Sequence, residues 1–210
     1  MVQAAKVLCG ILLFFCVAQL AQGQFLGIGG GGLFSKDLGG GTAAGPVPGS
    51  ARSEFGNGRI FTLDVGTRVY PYVSSGLHYS FSSADMLLVR GDAFGSSAEA
   101  ELSAHTITFD TRVRTPSAKR FRFYGLAGVG ITRFGLDVKS ELEVPFPGGA
   151  PDNVTSFVIT YGAGFERHLR QLVHLRLEVR DYQTFISDQL FQPGGAWHRV
   201  AVIGGITVGL

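Results

Sequence analysis

The sequence predicts an all-β protein: an antiparallel up-and-down transmembrane β-barrel of eight strands behind a cleaved N-terminal signal peptide. Three observations predict it. The one long apolar run lies at the N-terminus and is too short to be a membrane-crossing helix. From Arg59 onward, apolar residues alternate with polar, charged or small ones at a period of two. The connections between these alternating segments are short and long in turn.

The N-terminus comes first. Lys6 precedes the apolar run 7–17, and Ala21 and Gly23 supply small residues at the positions a signal peptidase inspects. Residues 1–23 therefore read as a secretory signal, cut before Gln24. A helical span needs roughly 20 apolar residues to cross the hydrocarbon core, and Gln19 and Gln22 close this run well short of that. A mature chain integral to a membrane must then cross as strands. Cys9 and Cys16 both lie inside the signal, which excludes disulfides, thiolate metal sites and cysteine nucleophiles from the mature protein. The formal net charge of +2 offers no single-sign field to attract nucleic acid, so that class is set aside.

Residues 24–58 form a Gly- and Pro-rich segment, and 59–210 the barrel proper. Within the first, 25–34 reads as a glycine-rich first strand with Leu26, Ile28 and Phe34 on one face, followed by loop. In 60–70, Phe61, Leu63, Val65 and Val69 alternate with Thr62, Asp64, Gly66 and Arg68. After a turn at 71–75, Leu77, Tyr79 and Phe81 alternate with His78, Ser80 and Ser82. Ile107, Phe109, Thr111 and Val113 then oppose Thr106, Thr108, Asp110, Arg112 and Arg114, and a turn at 115–119 leads to Phe121, Phe123, Ala127, Val129 and Ile131 against Arg122, Gly128, Gly130 and Thr132. The third hairpin sets Phe157, Ile159, Tyr161, Ala163 and Phe165 against a return strand in which Val173, Leu175, Leu177 and Val179 alternate with His174, Arg176, Glu178 and Arg180, its turn at 167–171. The last strand, 197–210, carries Val200, Val202, Ile206, Val208 and Leu210 on one face. Loops are expected at 35–58, 83–103, 139–154 and 186–196, all at one end.

Alternation alone also suits a soluble sandwich or lipocalin-like barrel. The second face tips the balance: Asp64, Arg68, Asp110, Arg112, Arg114, Arg122, Glu166, Arg176, Glu178 and Arg180 recur at strand centres with both signs mixed. In a narrow lumen these can pair into a network that fills the barrel. The apolar face is Phe, Val, Ile and Leu, with Tyr70, Tyr72, Tyr124, Tyr161, Tyr182 and Trp197 available for interfacial girdles.

The chain ends Gly205-Ile206-Thr207-Val208-Gly209-Leu210, similar to the terminal-strand assembly signal of outer-membrane proteins, carried here by Gly205, Val208 and Leu210; those signals commonly end in Phe, and Leu210 departs from that. With 161–164 (Tyr-Gly-Ala-Gly) and 175–182 (Leu-Arg-Leu-Glu-Val-Arg-Asp-Tyr), residues 59–210 resemble the OmpA-like outer-membrane β-barrel family. The resemblance implies an eight-stranded barrel in the bacterial outer membrane with both termini periplasmic. It implies outer-membrane lipid as surroundings, with barrel assembly machinery and periplasmic chaperones as partners in biogenesis. Family members with a C-terminal domain bind peptidoglycan; nothing here follows the last strand, so that function is not carried over.

Candidate chemistry is sparse. His78-Tyr79-Ser80 is similar to the His-x-Ser arrangement of outer-membrane lipid A deacylases, with histidine as base and serine as nucleophile. There the motif sits late in the barrel and precedes Asn; here it sits early and precedes Phe81. Lumen filling is the favoured reading of the pair. The five histidines show no spacing that aims two at one metal, and no cofactor is expected. Arg90-Gly91-Asp92 reads as an ordinary turn, Asn153-Val154-Thr155 as loop sequence, and 29–32 (Gly run) lacks the Lys-Ser/Thr of a phosphate-binding loop. The expectation is a non-enzymatic outer-membrane barrel with a structural or loop-recognition role. A lipid-modifying enzyme, a narrow channel and a soluble periplasmic barrel or sandwich remain as rivals.

Overall fold

The computed structural model describes residues 23–35, 51–90, 97–116, 121–138, 154–185 and 196–210. Residues 1–22, which belong to the expected signal peptide 1–23, and the residues between these segments lie outside the described residues. Eight strands run in chain order: β1 (Gln24–Ser35), β2 (Ala51–Tyr70), β3 (Val73–Arg90), β4 (Ser97–Arg114), β5 (Phe121–Val138), β6 (Val154–Arg170), β7 (Val173–Phe185) and β8 (Ala196–Gly209). Each pairs antiparallel with its sequence neighbours, and β1 pairs with β8, closing the barrel. Over the length that the strands share, closure leaves no free sheet edge, a condition for crossing hydrocarbon with strands.

The closing seam explains how a glycine-rich segment becomes a strand. Gly29 faces Gly205 and Gly30 faces Gly204 across β1 and β8. A Cβ on Gly205 would run into the carbonyl oxygen of Ile28, and one on Gly29 into Thr62 and Ile203. The two strands approach as closely as they do because neither carries side chains there.

Short connections, the start of β1 and the end of β8 gather at one end of the barrel. The links at 71–72 and 171–172 are two-residue turns, and Leu210 N–H donates to Gln24 C=O at 2.8 Å, tying last strand to first. The connections 36–50, 91–96, 139–153 and 186–195 all leave from the opposite end.

The strands run longer than the apolar alternation alone indicates. Residues 51–58, 83–90 and 97–103, expected as loop, belong to β2, β3 and β4, with Ala51 paired to Arg90 and Val89 to Ser97. The physical reason is that a ladder needs only backbone groups, whereas the alternation marks only the part facing lipid. A lipid-crossing strand needs about 9–11 residues, and β2 has 20. The excess continues the hairpins beyond the membrane. At the other end, the turns expected over 71–75 and 167–171 shrink to 71–72 and 171–172.

Burial is inverted relative to a water-soluble sheet. Phe123 is 63% exposed, Val113 56% and Ile131 55%, while Asp64, Glu178 and Arg180 are 2% exposed or less. The outward apolar surface is continuous around the wall, far beyond what a soluble monomer exposes. On the loop side it stops at Arg59, Ser83, His105, Arg133, Asp181 and His198, all facing outward or partly so. Two of these are tied to tyrosines: Tyr79 hydroxyl lies 2.9 Å from His105 Nδ1, and Tyr161 hydroxyl donates to Asp181 at 2.7 Å. On the turn side Tyr70, Tyr72, Phe121, Leu169 and Leu172 are exposed, with Arg167 stacked over Phe121 at 5.4 Å. An apolar band bounded by aromatic and polar belts is the surface a bilayer requires.

Candidate functional site

The inward face is where chemistry collects. Period-two alternation turns every second residue of eight strands into the lumen, so residues far apart in sequence become neighbours only on closure. Asp64 on β2 is the hub. His78, its direct cross-strand partner on β3, places Nδ1 2.8 Å from Asp64 Oδ1. Arg112 on β4 donates to the same oxygen at 2.5 Å, and Arg176 on β7 donates to Oδ2 at 2.6 Å. One carboxylate thus gathers three other strands, from both sides of the barrel.

Asp110 on β4 accepts from Arg180 Nη1 at 2.6 Å and from Thr108 Oγ1 at 2.7 Å. It fits because residue 128 opposite is glycine, and a Cβ there would collide with the Asp110 carboxylate. Glu178 on β7 accepts from Arg180 Nε at 2.8 Å and from Tyr124 hydroxyl at 2.7 Å. Glu166 on β6 accepts from Arg114 Nε and Nη2 at 3.0 and 3.2 Å, while Arg114 Nη1 donates to Ser74 at 2.7 Å. Four carboxylates thus meet four arginines, all less than one-tenth exposed. Such charges are costly to bury singly and tolerable in mutual contact.

Two members of the expected charge set stand outside this network. Arg68 pairs in register with Ser74, whose side chain is buried against Arg114, but Arg68 lies near the turn end of β2 and is exposed. Arg122 is half-buried opposite Glu166, but Glu166 is held by Arg114 instead. Arg176 and Glu178, neighbours on one strand face, approach each other only to 4.0 Å, because Arg176 has a nearer partner in Asp64 across the lumen and Glu178 is held by Arg180 on its own strand and by Tyr124 on β5.

Three aromatic residues expected in the outer girdles face inward. Tyr124, Tyr182 and Trp197 are 3%, 1% and 2% exposed. Residue type suggested the interface, but strand parity decides: Tyr124 and Tyr182 share parity with Arg122 and Arg180, and Trp197 is opposite in parity to Val200. Following parity through these positions would have found them.

His78 and Ser80 both lie in the lumen, yet they are not joined as a catalytic pair. His78 Nε2 is 3.0 Å from Tyr182 hydroxyl, so its ring links Asp64 to Tyr182. Asp64, His78 and Asp110 bring ligand atoms within 4.8 Å of one another, a spacing open to a metal. The carboxylate oxygens there already receive Arg112, Arg176 and Arg180, three cations that oppose a fourth. The adjoining cavity, lined by Phe25, Asp64, Ser74, Asp110 and Arg112, encloses about 10 Å³, room for about one water molecule.

The terminal-strand residues occupy the seam. Gly205 packs on Gly29, Val208 lies between Leu26 and Val173, and Leu210 is exposed at the turn end.

The sequence profile of the outer membrane protein beta-barrel domain matches residues 7–203. The chain belongs to that family. Solved barrels agree in fold. Neisserial surface protein A superposes with a TM-score of 0.55 at 12% identity, covering 89% of this chain and 96% of the other. OprG of Pseudomonas aeruginosa gives 0.54 at 12% identity, covering 90% and 96%. No curated protein sequence matches the chain. Family membership and the exposed apolar band together place the protein in the bacterial outer membrane, which removes the soluble periplasmic reading.

Proposed function

We propose that this chain is a non-enzymatic outer-membrane barrel whose lumen is closed by ion pairs, and whose work is done by its wall in the membrane and by its loops outside. The observation that carries this reading is the clasp of Asp64 by His78, Arg112 and Arg176 from three other strands. A carboxylate bound from across the lumen occupies the space an ion path would need. The mature chain begins at Gln24, and the terminal strand with Gly205, Val208 and Leu210 is the part offered to periplasmic chaperones and barrel assembly machinery. A deacylase would require Ser80 to hand its proton to His78, whose second nitrogen is taken by Tyr182.

Planar-bilayer recording of the refolded protein tests the closed lumen. The expected record shows no unitary steps attributable to the protein at moderate voltage. Reproducible steps of fixed size would establish a channel in place of a plug.

A further inference from the structure

Arg199 on β8 breaks the charge balance of the lumen. It is 3% exposed and faces inward, and among the described residues it has no carboxylate within ion-pair distance, whereas Arg112, Arg114, Arg176 and Arg180 each have one. Asp181, on the adjacent strand, faces the other side of the wall, where it binds Tyr161 and His198.

The guanidinium is held in an aromatic box. Ring centroids of Phe134, Trp197 and Tyr182 lie 5.0, 5.2 and 5.6 Å from its central carbon. Aromatic faces stabilise the cation and fix its orientation, but they do not take its in-plane N–H groups. Nη1 makes one long bond to Ser82 Oγ at 3.4 Å, and Nε and Nη2 are buried with no acceptor among the described residues. Arg112, Arg176 and Arg180 also keep unpartnered N–H groups, but each already has its counter-charge.

Nε and Nη2 form the edge of arginine that presents two parallel N–H groups, the geometry that matches two oxygens of a carboxylate or phosphate. This barrel already shows what that edge holds: in Arg114 the same two nitrogens grip Glu166. On the β6 and β7 walls, Ser156 Oγ and Thr184 Oγ1 are likewise buried without partners, Thr184 opposite Trp197 in register. A fixed, uncompensated cation with an empty two-donor edge is costly unless an anion completes it.

We propose that Arg199, framed by Phe134, Tyr182, Trp197 and Ser82, binds an oxyanion with two coplanar oxygens, a carboxylate or phosphate group, entering from the loop end of the lumen. The site lies on the loop side of the Asp64 clasp, so its occupation leaves the plug intact.

Trp197 is the only tryptophan of the chain and touches the site, so its fluorescence reports occupancy. The mature protein, folded in detergent micelles, is titrated at constant ionic strength with acetate, with inorganic phosphate and, for comparison, with chloride. Saturable changes in Trp197 emission are expected with acetate or phosphate, the stronger of the two identifying the preferred group. Arg199→Gln should weaken binding at least about tenfold, as expected for losing charge-assisted hydrogen bonds. Arg199→Lys, which keeps the charge but not the two-donor edge, should also bind more weakly, and it carries the comparison if the glutamine variant does not fold. Absence of a saturable response in the wild-type protein, an equal response to chloride, or unchanged affinity in the variants would overturn the proposal.

Discussion

Asp64→Ala is expected to lower the stability of the folded barrel by about 3–5 kcal/mol, the range for breaking a buried ion pair by removing one partner. Asp64 neutralises Arg112 and Arg176 and orients His78, so its loss leaves two cations facing each other in the lumen without their shared counter-charge. Urea unfolding of the protein in micelles or vesicles measures the change. The diagnostic result is non-additivity. Arg176→Met placed on Asp64→Ala removes one of the stranded charges, and the double variant should recover part of the loss, so that the coupling term exceeds about 0.5 kcal/mol. Additive losses would mean that these side chains fill space without acting as a network.

Val129→Arg tests the opposite face. Val129 points outward from β5, 51% exposed, between the outward residues Phe109 on β4 and Ile159 on β6. In the middle of a bilayer an arginine on the lipid face costs about 2–4 kcal/mol, falling to about 0–1 near the interfaces. The expected result is a loss in the higher range for Val129→Arg and a small one for Tyr70→Arg at the turn end, both measured by unfolding from vesicles. Equal and small losses at both positions would mean that Val129 does not face hydrocarbon.

The outward face was legible in the sequence because lipid imposes period two with almost no exceptions. Phe61, Leu77, Phe109, Val129, Ile159 and Val179 could each be placed on the outer face from their neighbours alone. Where lipid ends, so does the signal: residues 51–58 continue β2 by backbone pairing, but their side chains show no alternation to read. Arg68 shows the limit at the other end: its alternation with Asp64 is readable, but its closeness to the turn, which leaves it exposed, is not.

In the lumen, charge composition was legible and connectivity was not. Arg176 lies beside Glu178 in sequence but binds Asp64, 112 residues away. That contact exists only once β1 has closed on β8, so no local pattern encodes it. Tyr124, Tyr182 and Trp197 were assigned to interfacial belts by residue type, although their parity pointed inward. The rings of Tyr182 and Trp197 meet around Arg199 only in the closed barrel, so residue type alone does not single out this arginine, which is buried with no carboxylate in ion-pair contact among the described residues.

The most direct test of the central claim is heat-modifiability of the mature protein extracted from isolated outer membranes. A closed eight-stranded barrel resists detergent until boiled, so the account predicts two gel mobilities for unboiled and boiled samples, with the protein in the membrane fraction. Recovery in the soluble periplasmic fraction with a single mobility would contradict it.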